Sequence, residues 1–383
     1  MKKICFFSHS SELNGAELNL IQILEQIDRR RFYPSLVVPR KGLLFEEANK
    51  LSIEVKIIPA KWWLTEKGRV WKQPIVSLLN IPAVRALAHR IRQEKIDLVF
   101  SNSCASFGGA LAAKKASVPH VWYIHEILGG KIPQLTYIFG QRALARKILQ
   151  SSCKVLVNSK ATGAFFGDNA DVRLVYNGIQ VQDEERNESQ NLRHRWGLDN
   201  RDFVFGIVGK VCEEKGQRET IMALGELGRE RPVKLLVVGP VKSRTYSAEL
   251  EKICDAYDIR DRVVFTGYQK DVIQFLRSMN CLIVASRVES FGRTVIEAMS
   301  VKTPVMAVKS GGIPEIVSHG SNGFLLESRT HHAIQAGMES FLNNRDTHER
   351  AAEEGFRTVQ EKFLLSAQLK TIENVLEECL NKR

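Results

Sequence analysis

Short apolar runs alternate with helical patterns along the first half of the chain. The runs are rich in Val, Ile, Leu and Phe, which is typical of buried strands, and they lie at residues 2–8, 34–38, 54–58, 97–100, 120–124 and 154–157. Apolar residues at helical spacing between them predict helices such as Ala16–Ile27 and Pro82–Glu94. Alternation of this kind indicates a parallel sheet with helices on both faces.

The same alternation restarts after residue 200. Strands are predicted at residues 203–208, 234–238, 262–265, 281–285 and 304–308, with helices such as Gln217–Gly228 and Ala248–Ala256 between them. Residues 180–195 are highly polar and lack apolar periodicity, so we interpret them as a linker and the start of a second domain. We therefore expect two doubly wound α/β domains whose strand carboxyl ends line a ligand-binding cleft.

Length and composition agree with a two-domain globular protein. The chain has 383 residues, of which 44% are hydrophobic and 26% charged. Its first apolar run is too short for a signal peptide, and no run approaches the roughly 20 residues that span a bilayer. Seven scattered cysteines suggest neither a disulfide framework nor a metal site. These features predict a cytoplasmic protein.

The excess positive charge lies in the first half of the chain. Residues 1–178 contain 26 Lys and Arg against 13 Asp and Glu, a net charge of +13, whereas the remainder carries 29 basic and 30 acidic residues. A solvated basic surface or simple compositional bias would explain this. The sharper interpretation is an anionic partner for the first domain, either a membrane leaflet or a nucleic acid.

Three loops that follow predicted strands of the second domain indicate a binding site. The first holds Lys210 and Lys215, two cations able to neutralise a diphosphate. The second begins at Glu289, eight residues before Glu297, and leads into a helix whose start favours phosphate. The third contains the pair at residues 311–312, where glycine lets a backbone approach a ligand closely. Each loop alone is compatible with an ordinary turn, but together they predict a site.

The first domain offers fewer candidates. Asn14-Gly15 follows the first strand, where a phosphate-binding loop would lie, but the sequence is not G-x-G-x-x-G, so a nicotinamide or flavin dinucleotide is not indicated. His125 ends the fifth predicted strand at the expected cleft edge. The adjacent residues His331 and His332 have no acidic neighbour in sequence, and we interpret them as surface residues.

With these residues the chain resembles the retaining glycosyltransferases of family 4, the glycosyl transferases group 1. The resemblance is carried by E-x-F-G-R-T-x-x-E-A-M from Glu289, by Pro304, by G-G-x-x-E from Gly311 and by the segment Val175–Gly178. It implies a GT-B fold, in which two Rossmann-like doubly wound domains face a cleft. The implied domains are residues 1–180 for the acceptor and 181–363 for the nucleotide sugar. Residues 364–383, with apolar positions at helical spacing, would form a helix that returns to the first domain.

The resemblance also implies a role for individual residues. Glu297 would bind the ribose hydroxyls, and Glu289 the donor-sugar hydroxyls. Lys215 would neutralise the diphosphate, and His125 would lie by the donor sugar and the acceptor. Catalysis would rest on Glu289, His125 and Lys215. The donor-binding residues would be Gly15, Lys210, Lys215, Ser290, Phe291, Gly292, Thr294, Val295 and Glu297.

Three positions depart from the family pattern. Asn14 stands where the first of two glycines is usual, so this loop could contact phosphate or acceptor differently. Lys210 occupies a position that often holds Arg. Lysine keeps the positive charge of arginine but loses its bidentate geometry. Arg293 stands at a position that is often apolar, and its role is open.

The function expected from the resemblance is a retaining, metal-independent transfer of a hexosyl unit. The donor would be a nucleotide-diphosphate sugar, with a UDP-sugar favoured, and the acceptor a hydroxyl of a lipid-linked or cell-surface glycan. No cofactor or metal is expected, because lysines and a helix start can stabilise the leaving diphosphate. The alternatives are a hydrolase with Glu289 and Glu297 as its acid/base pair, a sugar-nucleotide epimerase, or a basic nucleic-acid-binding protein, although no nucleic-acid-binding motif is present.

Residues 60–80 suggest contact with a membrane. This segment combines three tryptophans with four basic residues, Lys61, Lys67, Arg69 and Lys72, a composition suited to the headgroup region. A core-packing or acceptor-pocket segment is an equally good interpretation. In the membrane interpretation, the basic first domain contacts the inner face of the cell membrane peripherally.

Overall fold

A computed structural model describes residues 1–65, 70–129, 135–181 and 192–381. The chain forms two compact units, Met1–Gly178 together with Leu365–Arg383, and Ile179–Leu364. We call them unit 1 and unit 2. Their bounds differ by one or two residues from the expected 1–180, 181–363 and 364–383. Most of the predicted linker, residues 182–191, lies outside the described residues.

Unit 1 contains a seven-stranded parallel sheet with the order β3-β2-β1-β4-β5-β6-β7. Its strands are β1 Lys2–Ser8, β2 Phe32–Val38, β3 Glu54–Ile57, β4 Leu98–Asn102, β5 His120–Ile124, β6 Lys154–Val157 and β7 Val172–Leu174. Its α-helices are Gly15–Gln26, Leu43–Lys50, Gln73–Leu79, Ile81–Gln93, Gly108–Ala116, Gln141–Gln150, Lys160–Gly163 and Leu365–Asn381, with short 3-10 helices at Val70–Lys72 and Ala164–Phe166.

Unit 2 contains a six-stranded parallel sheet with the order β10-β9-β8-β11-β12-β13. Its strands are β8 Phe203–Val208, β9 Val233–Val238, β10 Val263–Gly267, β11 Cys281–Val284, β12 Val305–Val308 and β13 Phe324–Leu326. Its α-helices are Gln217–Glu226, Arg244–Ala256, Val272–Ser278, Arg293–Ser300, Ile313–Ile316, His331–Asn343 and Arg345–Lys362, with 3-10 helices at Glu213–Lys215 and Arg260–Arg262. Two doubly wound parallel sheets confirm the predicted α/β fold class.

Two strands escaped the sequence analysis. β7 and β13 have three residues each, and each forms the last strand of its sheet. Their residues are mostly half-buried, so they lack the continuous apolar run that marks a central strand. The apolar runs therefore identified the longer strands and the four-residue edge strand β3, but not these two three-residue edge strands.

The strand order fixes where ligands can bind in each unit. In unit 1 the connections that follow β1 and β4 lead away from each other, since β2 lies on one side of β1 and β5 on the far side of β4. In unit 2 the same reversal occurs between β8 and β11. A crevice forms outside the carboxyl ends of strands at such a reversal, and open α/β sheets bind their ligands there.

The C-terminal helix Leu365–Asn381 packs into the core of unit 1. One face is buried together with residues of β1, β2 and helix Gly15–Gln26. The buried apolar residues of the helix are Leu365, Leu369, Ile372, Val375, Leu376, Cys379 and Leu380. Their helical spacing puts them on one face of the helix, where they form a continuous apolar stripe. Burial of this stripe in the core of unit 1 explains why a segment so distant in sequence belongs to that unit.

A buried polar network fixes the same helix in place. Gln368 Oε1 accepts from the backbone N–H of Gly178 at 2.7 Å, and Gln368 Nε2 donates to Asn19 Oδ1 at 3.0 Å and to the Tyr123 hydroxyl at 2.9 Å. Gln368 is only 4% exposed. Its amide therefore joins the C-terminal helix, the first helix, β5 and the end of the first chain segment of unit 1.

Replacing Gln368 with Ala should destabilise unit 1. The substitution leaves the Gly178 N–H and the Asn19 amide oxygen without this buried partner, which costs about 1–3 kcal/mol. Chemical unfolding followed by tryptophan fluorescence would measure the loss. Gln93→Ala, at the exposed end of helix Ile81–Gln93, is the matched control and should change the unfolding free energy little. Equal stability of the two variants would contradict a structural role for the network.

Candidate active site

Two loops of unit 2 meet through an ion pair at the β8/β11 reversal. Lys215 follows β8 and Glu289 follows β11, and Lys215 Nζ lies 2.8 Å from Glu289 Oε2. The lysine side chain is 32% exposed and the glutamate side chain 18%, so both reach solvent at the strand carboxyl ends. The structure thus brings together two of the three predicted catalytic residues.

Glycine is required where the Lys215 loop turns. Gly216 has a φ of +81°, and a Cβ there would lie 2.4 Å from the carbonyl oxygen of Ala285, at the end of β11. Any side chain would push the loop away from the neighbouring strand. The absence of a Cβ therefore lets the lysine loop lie against the strand that leads to Glu289.

The charge of Lys215 is stabilised by its partner. Burial alone lowers the pKa of this lysine, but the charge of Glu289 and its hydrogen bond outweigh burial and raise the pKa above its ordinary value. Lys215 is accordingly protonated at neutral pH and available as a cation for an anionic ligand.

Arg329 holds the 3-10 turn Glu213–Lys215 from the side. Its Nη2 atom donates to the backbone oxygen of Glu213 and to Glu219 Oε1, both at 2.7 Å. The backbone N–H of Arg287 also donates to the carbonyl oxygen of Glu214, at 2.8 Å. These bonds fix the backbone that carries Lys215, and the sequence analysis did not identify Arg329.

The helix Arg293–Ser300 begins at the same edge. Gly292 precedes it with a φ of +112°, and a Cβ there would lie 2.8 Å from Ile313 Cδ1. The Val295 N–H donates to the Gly292 carbonyl at 3.0 Å, whereas the Thr294 N–H lies in the first turn, which has no intrahelical acceptor. Thr294 and Val295 are both implied donor-binding residues, and the backbone N–H of Thr294 is the better placed of the two to donate to a ligand.

Arg293 forms an ion pair with Glu297 one turn later. Arg293 Nε lies 2.6 Å from Glu297 Oε1, and the two side chains are 12% and 13% exposed. The i,i+4 spacing puts them on the same helix face. Arg293, whose role the sequence leaves open, therefore orients the carboxylate that is predicted to bind ribose.

The remaining predicted residues of unit 2 surround this edge. The N–H of Gly312 donates to the carbonyl oxygen of Glu289 at 2.9 Å, so the glycine loop supports the glutamate loop. Phe291 is buried, with its ring centroid 5.8 Å from that of Phe363. Lys210 has an exposed side chain, and Ser290 is half-buried.

In unit 1, His125 lies at the carboxyl end of β5 within a polar cluster. Its Nε2 atom lies 2.9 Å from Asn102 Oδ1, and Asn102 Nδ2 donates to the carbonyl oxygen of Ala16 at 3.1 Å. Its ring also lies 4.2 Å from that of Tyr123. Gly15 is the first residue of the first helix, and nothing lies within 4 Å of where its Cβ would be.

His9 and Glu17 belong to the same cluster and were missed as side chains of the site. His9 Nδ1 lies 3.2 Å from the carbonyl oxygen of Asn102 and 3.7 Å from Glu17 Oε1. Glu17 Oε2 accepts from the N–H of Asn14 at 3.2 Å. His9 directly follows β1, at the strand reversal, and this position is the signal that could have identified it.

His331 corrects an expectation. It was interpreted as a surface residue without an acidic partner, but its Nε2 atom lies 3.1 Å from Glu226 Oε1. Glu226 ends the helix Gln217–Glu226, more than 100 residues earlier, so sequence proximity could not reveal the pair. Among the described residues, Glu226, His331 and His332 form a group of possible metal ligands, whose ligand atoms lie within 4.8 Å of one another. Glu289 does not belong to this group.

The topology matches a known fold: two Rossmann-like units, each with polar loops at its strand reversal, make up the GT-B fold. HepE from Anabaena, in a structure with UDP and glucose, matches this fold with a TM-score of 0.83 over 98% of this chain and 100% of that chain, at 24% sequence identity.

Family models identify the chain more closely. The model for glycosyltransferase family 4 matches residues 13–183, and the model for glycosyl transferases group 1 matches residues 188–358. The chain belongs to this family of glycosyltransferases, which confirms the resemblance drawn from its motifs.

Two curated relatives match parts of the chain. N-acetyl-alpha-D-glucosaminyl L-malate synthase of Bacillus anthracis is 27% identical over 51% of this chain and 50% of its own length. Lipopolysaccharide 1,2-N-acetylglucosaminetransferase of Salmonella typhimurium is 29% identical over 55% of this chain and 58% of its own length. The chain thus spans little more than half the length of either relative.

Residues 60–80 lie only partly within the described chain. Residues 66–69, which include Lys67 and Arg69, are outside it. Trp62 and Trp71 are 49% and 63% exposed, whereas Trp63 is buried. In the described ranges, no helix is long and apolar enough to cross a membrane.

Replacing Glu17 with Gln should change how stability depends on pH. Burial raises the pKa of Glu17, although the charge of His9 and the hydrogen bond from Asn14 act against burial. The folded protein therefore binds more protons at this site than the unfolded chain, and wild-type stability falls as pH rises from about 4.3 through the raised pKa. Gln keeps an acceptor for the Asn14 N–H and does not titrate.

Chemical unfolding of both proteins between pH 4 and 7 measures this effect. The unfolding free energy of the wild type minus that of Glu17→Gln should decrease as pH rises. A difference that stays constant or increases would contradict the effect of burial on Glu17.

Proposed function

We propose that the protein transfers a hexosyl unit from a UDP-sugar to a hydroxyl of a glycan acceptor, with retention of configuration and without a metal ion. The observation that carries this proposal is the Lys215–Glu289 ion pair at the β8/β11 reversal, next to the start of helix Arg293–Ser300. This edge combines a cation, a helix start and carboxylates, the groups needed by a ligand with both phosphates and hydroxyls.

The cationic groups suit a leaving diphosphate. Negative charge grows on the diphosphate as its bond to the donor sugar breaks. Preorganised cations and N–H donors stabilise this charge and so lower the activation barrier of the transfer. Lys215 and the Thr294 N–H are held by the loop and helix geometry described above, and the exposed Lys210 adds a second cation. These groups supply the stabilisation that a metal ion would otherwise provide, so we propose no metal.

The two carboxylates suit hydroxyl recognition. Glu289 and Glu297 each form an ion pair with a cation, and carboxylate oxygens accept hydrogen bonds from hydroxyl groups. We assign Glu289 to hydroxyls of the donor sugar and Glu297 to the ribose.

The relatives support the choice of substrates. The structure of HepE, the match described above, is a complex with UDP and glucose, which favours UDP as the nucleotide part of the donor. The Salmonella relative is named as a lipopolysaccharide glycosyltransferase, which favours a growing surface glycan as the acceptor. We assign His125 and its neighbours in unit 1 to the acceptor.

We further propose that the protein works at the inner face of the cell membrane through peripheral contact. Trp71, Ile75 and Leu78 are each more than half exposed, and the first 178 residues carry the excess positive charge of the chain. Exposed apolar and basic groups together favour an anionic leaflet. The positive charge alone would also suit a nucleic acid, but the exposed apolar side chains favour a membrane.

A thermal-shift panel tests the donor. UDP and a UDP-sugar should raise the melting temperature by several degrees at about 100 times the Kd, which corresponds to ~2.7 kcal/mol of stabilisation, with smaller shifts for GDP and ADP. The shift should persist in EDTA. Stabilisation by none of the nucleotides would overturn the donor site, and stabilisation that requires a divalent cation would overturn metal independence.

Substitution of the two glutamates separates their roles. Glu297→Ala should weaken UDP binding by about 10- to 100-fold, because a hydrogen bond to a charged group is lost, whereas Glu289→Ala should mainly lower kcat, by about 100-fold. Titration calorimetry with UDP and steady-state transfer rates would measure these effects. Glu327→Ala, an exposed carboxylate elsewhere in unit 2, is the control. Normal binding and turnover in both variants would contradict the assignment.

A further inference from the structure

Unit 1 contains an apolar groove that the proposed donor chemistry does not use. Its volume is about 600 Å³, which is within the range of small-molecule sites. The groove is lined mainly by apolar side chains from the ends of β2 and β3 and from helices Gln73–Leu79 and Ile81–Gln93. Its lining includes Pro39, Ile58, Ala60, Lys61, Leu79 and Ala86.

Lys61 is the charged residue of the groove lining, and its backbone is firmly held. The Lys61 N–H donates to Asn80 Oδ1 at 2.8 Å, and Asn80 Nδ2 donates back to the Lys61 carbonyl oxygen at 3.0 Å. Asn80 is only 6% exposed. This buried amide therefore fixes the backbone of Lys61, which is the cationic residue among the described residues that line the groove.

The lysine end of the groove adjoins the polar cluster of unit 1. Trp62 directly follows Lys61, and its Nε1 atom donates to the carbonyl oxygen of His9 at 2.9 Å. The Trp62 and His9 rings are 5.0 Å apart. His9 in turn contacts Asn102, which bonds to His125. An apolar groove, a cation and a polar cluster therefore follow one another along the carboxyl edge of the sheet.

The surface beside the groove is also apolar. Leu78 of helix Gln73–Leu79 is 67% exposed, and two residues of the groove lining itself, Leu79 and Ile57, are 53% and 41% exposed. Large apolar side chains clustered at a surface mark an interaction site. Because this surface belongs to the half of the chain with a net charge of +13, its charge complements an anionic rather than a cationic partner.

We propose that the groove binds the hydrocarbon chain of a lipid-linked acceptor, with the phosphate or diphosphate of that lipid beside Lys61. The glycan part then extends past Trp62 toward His9 and His125. An anionic lipid matches the order of these surfaces along the sheet edge. Its hydrocarbon chain fills the apolar groove, its phosphate lies beside a cation, and the hydroxyl groups of its glycan contact polar side chains. This inference rests on the proposed transferase function and specifies its acceptor as a phosphate-linked lipid.

Farnesyl diphosphate is a suitable probe, because it joins a short hydrocarbon chain to a diphosphate. Titration calorimetry with saturating UDP present, which fills the proposed donor site, should show one farnesyl diphosphate bound per chain. Inorganic pyrophosphate should bind at least 10-fold more weakly. Equal binding of the two would show an anion site without a hydrocarbon groove and would overturn the proposal.

Two variants with matched controls locate the probe. Ala86→Trp fills the groove from an exposed helix position, and Lys61→Gln removes the cation; each should weaken farnesyl diphosphate binding at least 10-fold. Ala336→Trp, at an exposed helix position of unit 2, and Lys114→Gln, on helix Gly108–Ala116, should leave binding unchanged. Unchanged binding in Ala86→Trp would overturn the groove assignment.

A vesicle assay separates the lipid acceptor from the membrane surface. If the wild type binds vesicles of phosphatidylglycerol and phosphatidylcholine but not farnesyl diphosphate, the apolar surface is a membrane contact and the groove proposal fails. UDP stabilisation, measured on every variant, reports folding and the donor site independently. If UDP does not stabilise the wild type, the transferase proposal is refuted. If UDP stabilises the wild type but farnesyl diphosphate does not bind, only the groove proposal is refuted.

Discussion

The reversal of strand order within each parallel sheet is the constraint on which the candidate site depends. Parallel strands need long crossover connections, and these cover both faces of the sheet with helices. Where the order reverses, neighbouring connections diverge and leave the strand carboxyl ends uncovered. Lys215 and Glu289 are 74 residues apart in sequence, yet they meet at 2.8 Å because β8 and β11 are adjacent at this reversal. The strand order therefore determines where the candidate site lies, and the individual side chains determine its chemistry.

This dependence explains what the sequence could predict. The central strands are apolar runs, and the loops that follow them are necessarily at one edge of a parallel sheet, so the three loops of unit 2 could be grouped without a structure. The spacing of the two glutamates predicts one in the loop and the other on the following helix, but their roles are implied only by the resemblance to family 4. Even the Arg293–Glu297 pair has a sequence signal, opposite charges four residues apart on a helix.

The parts that could not be predicted depend on contacts between distant segments. Arg329 reaches Glu213 across 116 residues, and no local pattern marks it as the support of the Lys215 turn. The apolar stripe of the last helix predicts a buried face, but only the bonds of Gln368 to Gly178 and Asn19 show which elements it joins. His9 was missed because a lone histidine after a strand is common, and its importance comes from Asn102, which belongs to another strand.

The ion pairs of unit 2 also explain how an anion site can contain carboxylates. Without a ligand, Lys215 and Glu289 neutralise each other, so neither charge is left uncompensated in a partly buried loop. Under the proposed function, a diphosphate that approaches Lys215 would provide a stronger anionic partner, and Glu289 would then be released to accept hydrogen bonds from sugar hydroxyls. Arg293 keeps Glu297 oriented throughout, because both lie on the same helix face. Under the proposed function, ligand binding therefore replaces the Lys215–Glu289 ion pair with two contacts, one to a phosphate and one to a hydroxyl. This exchange favours a ligand that carries both groups over one that carries only one of them.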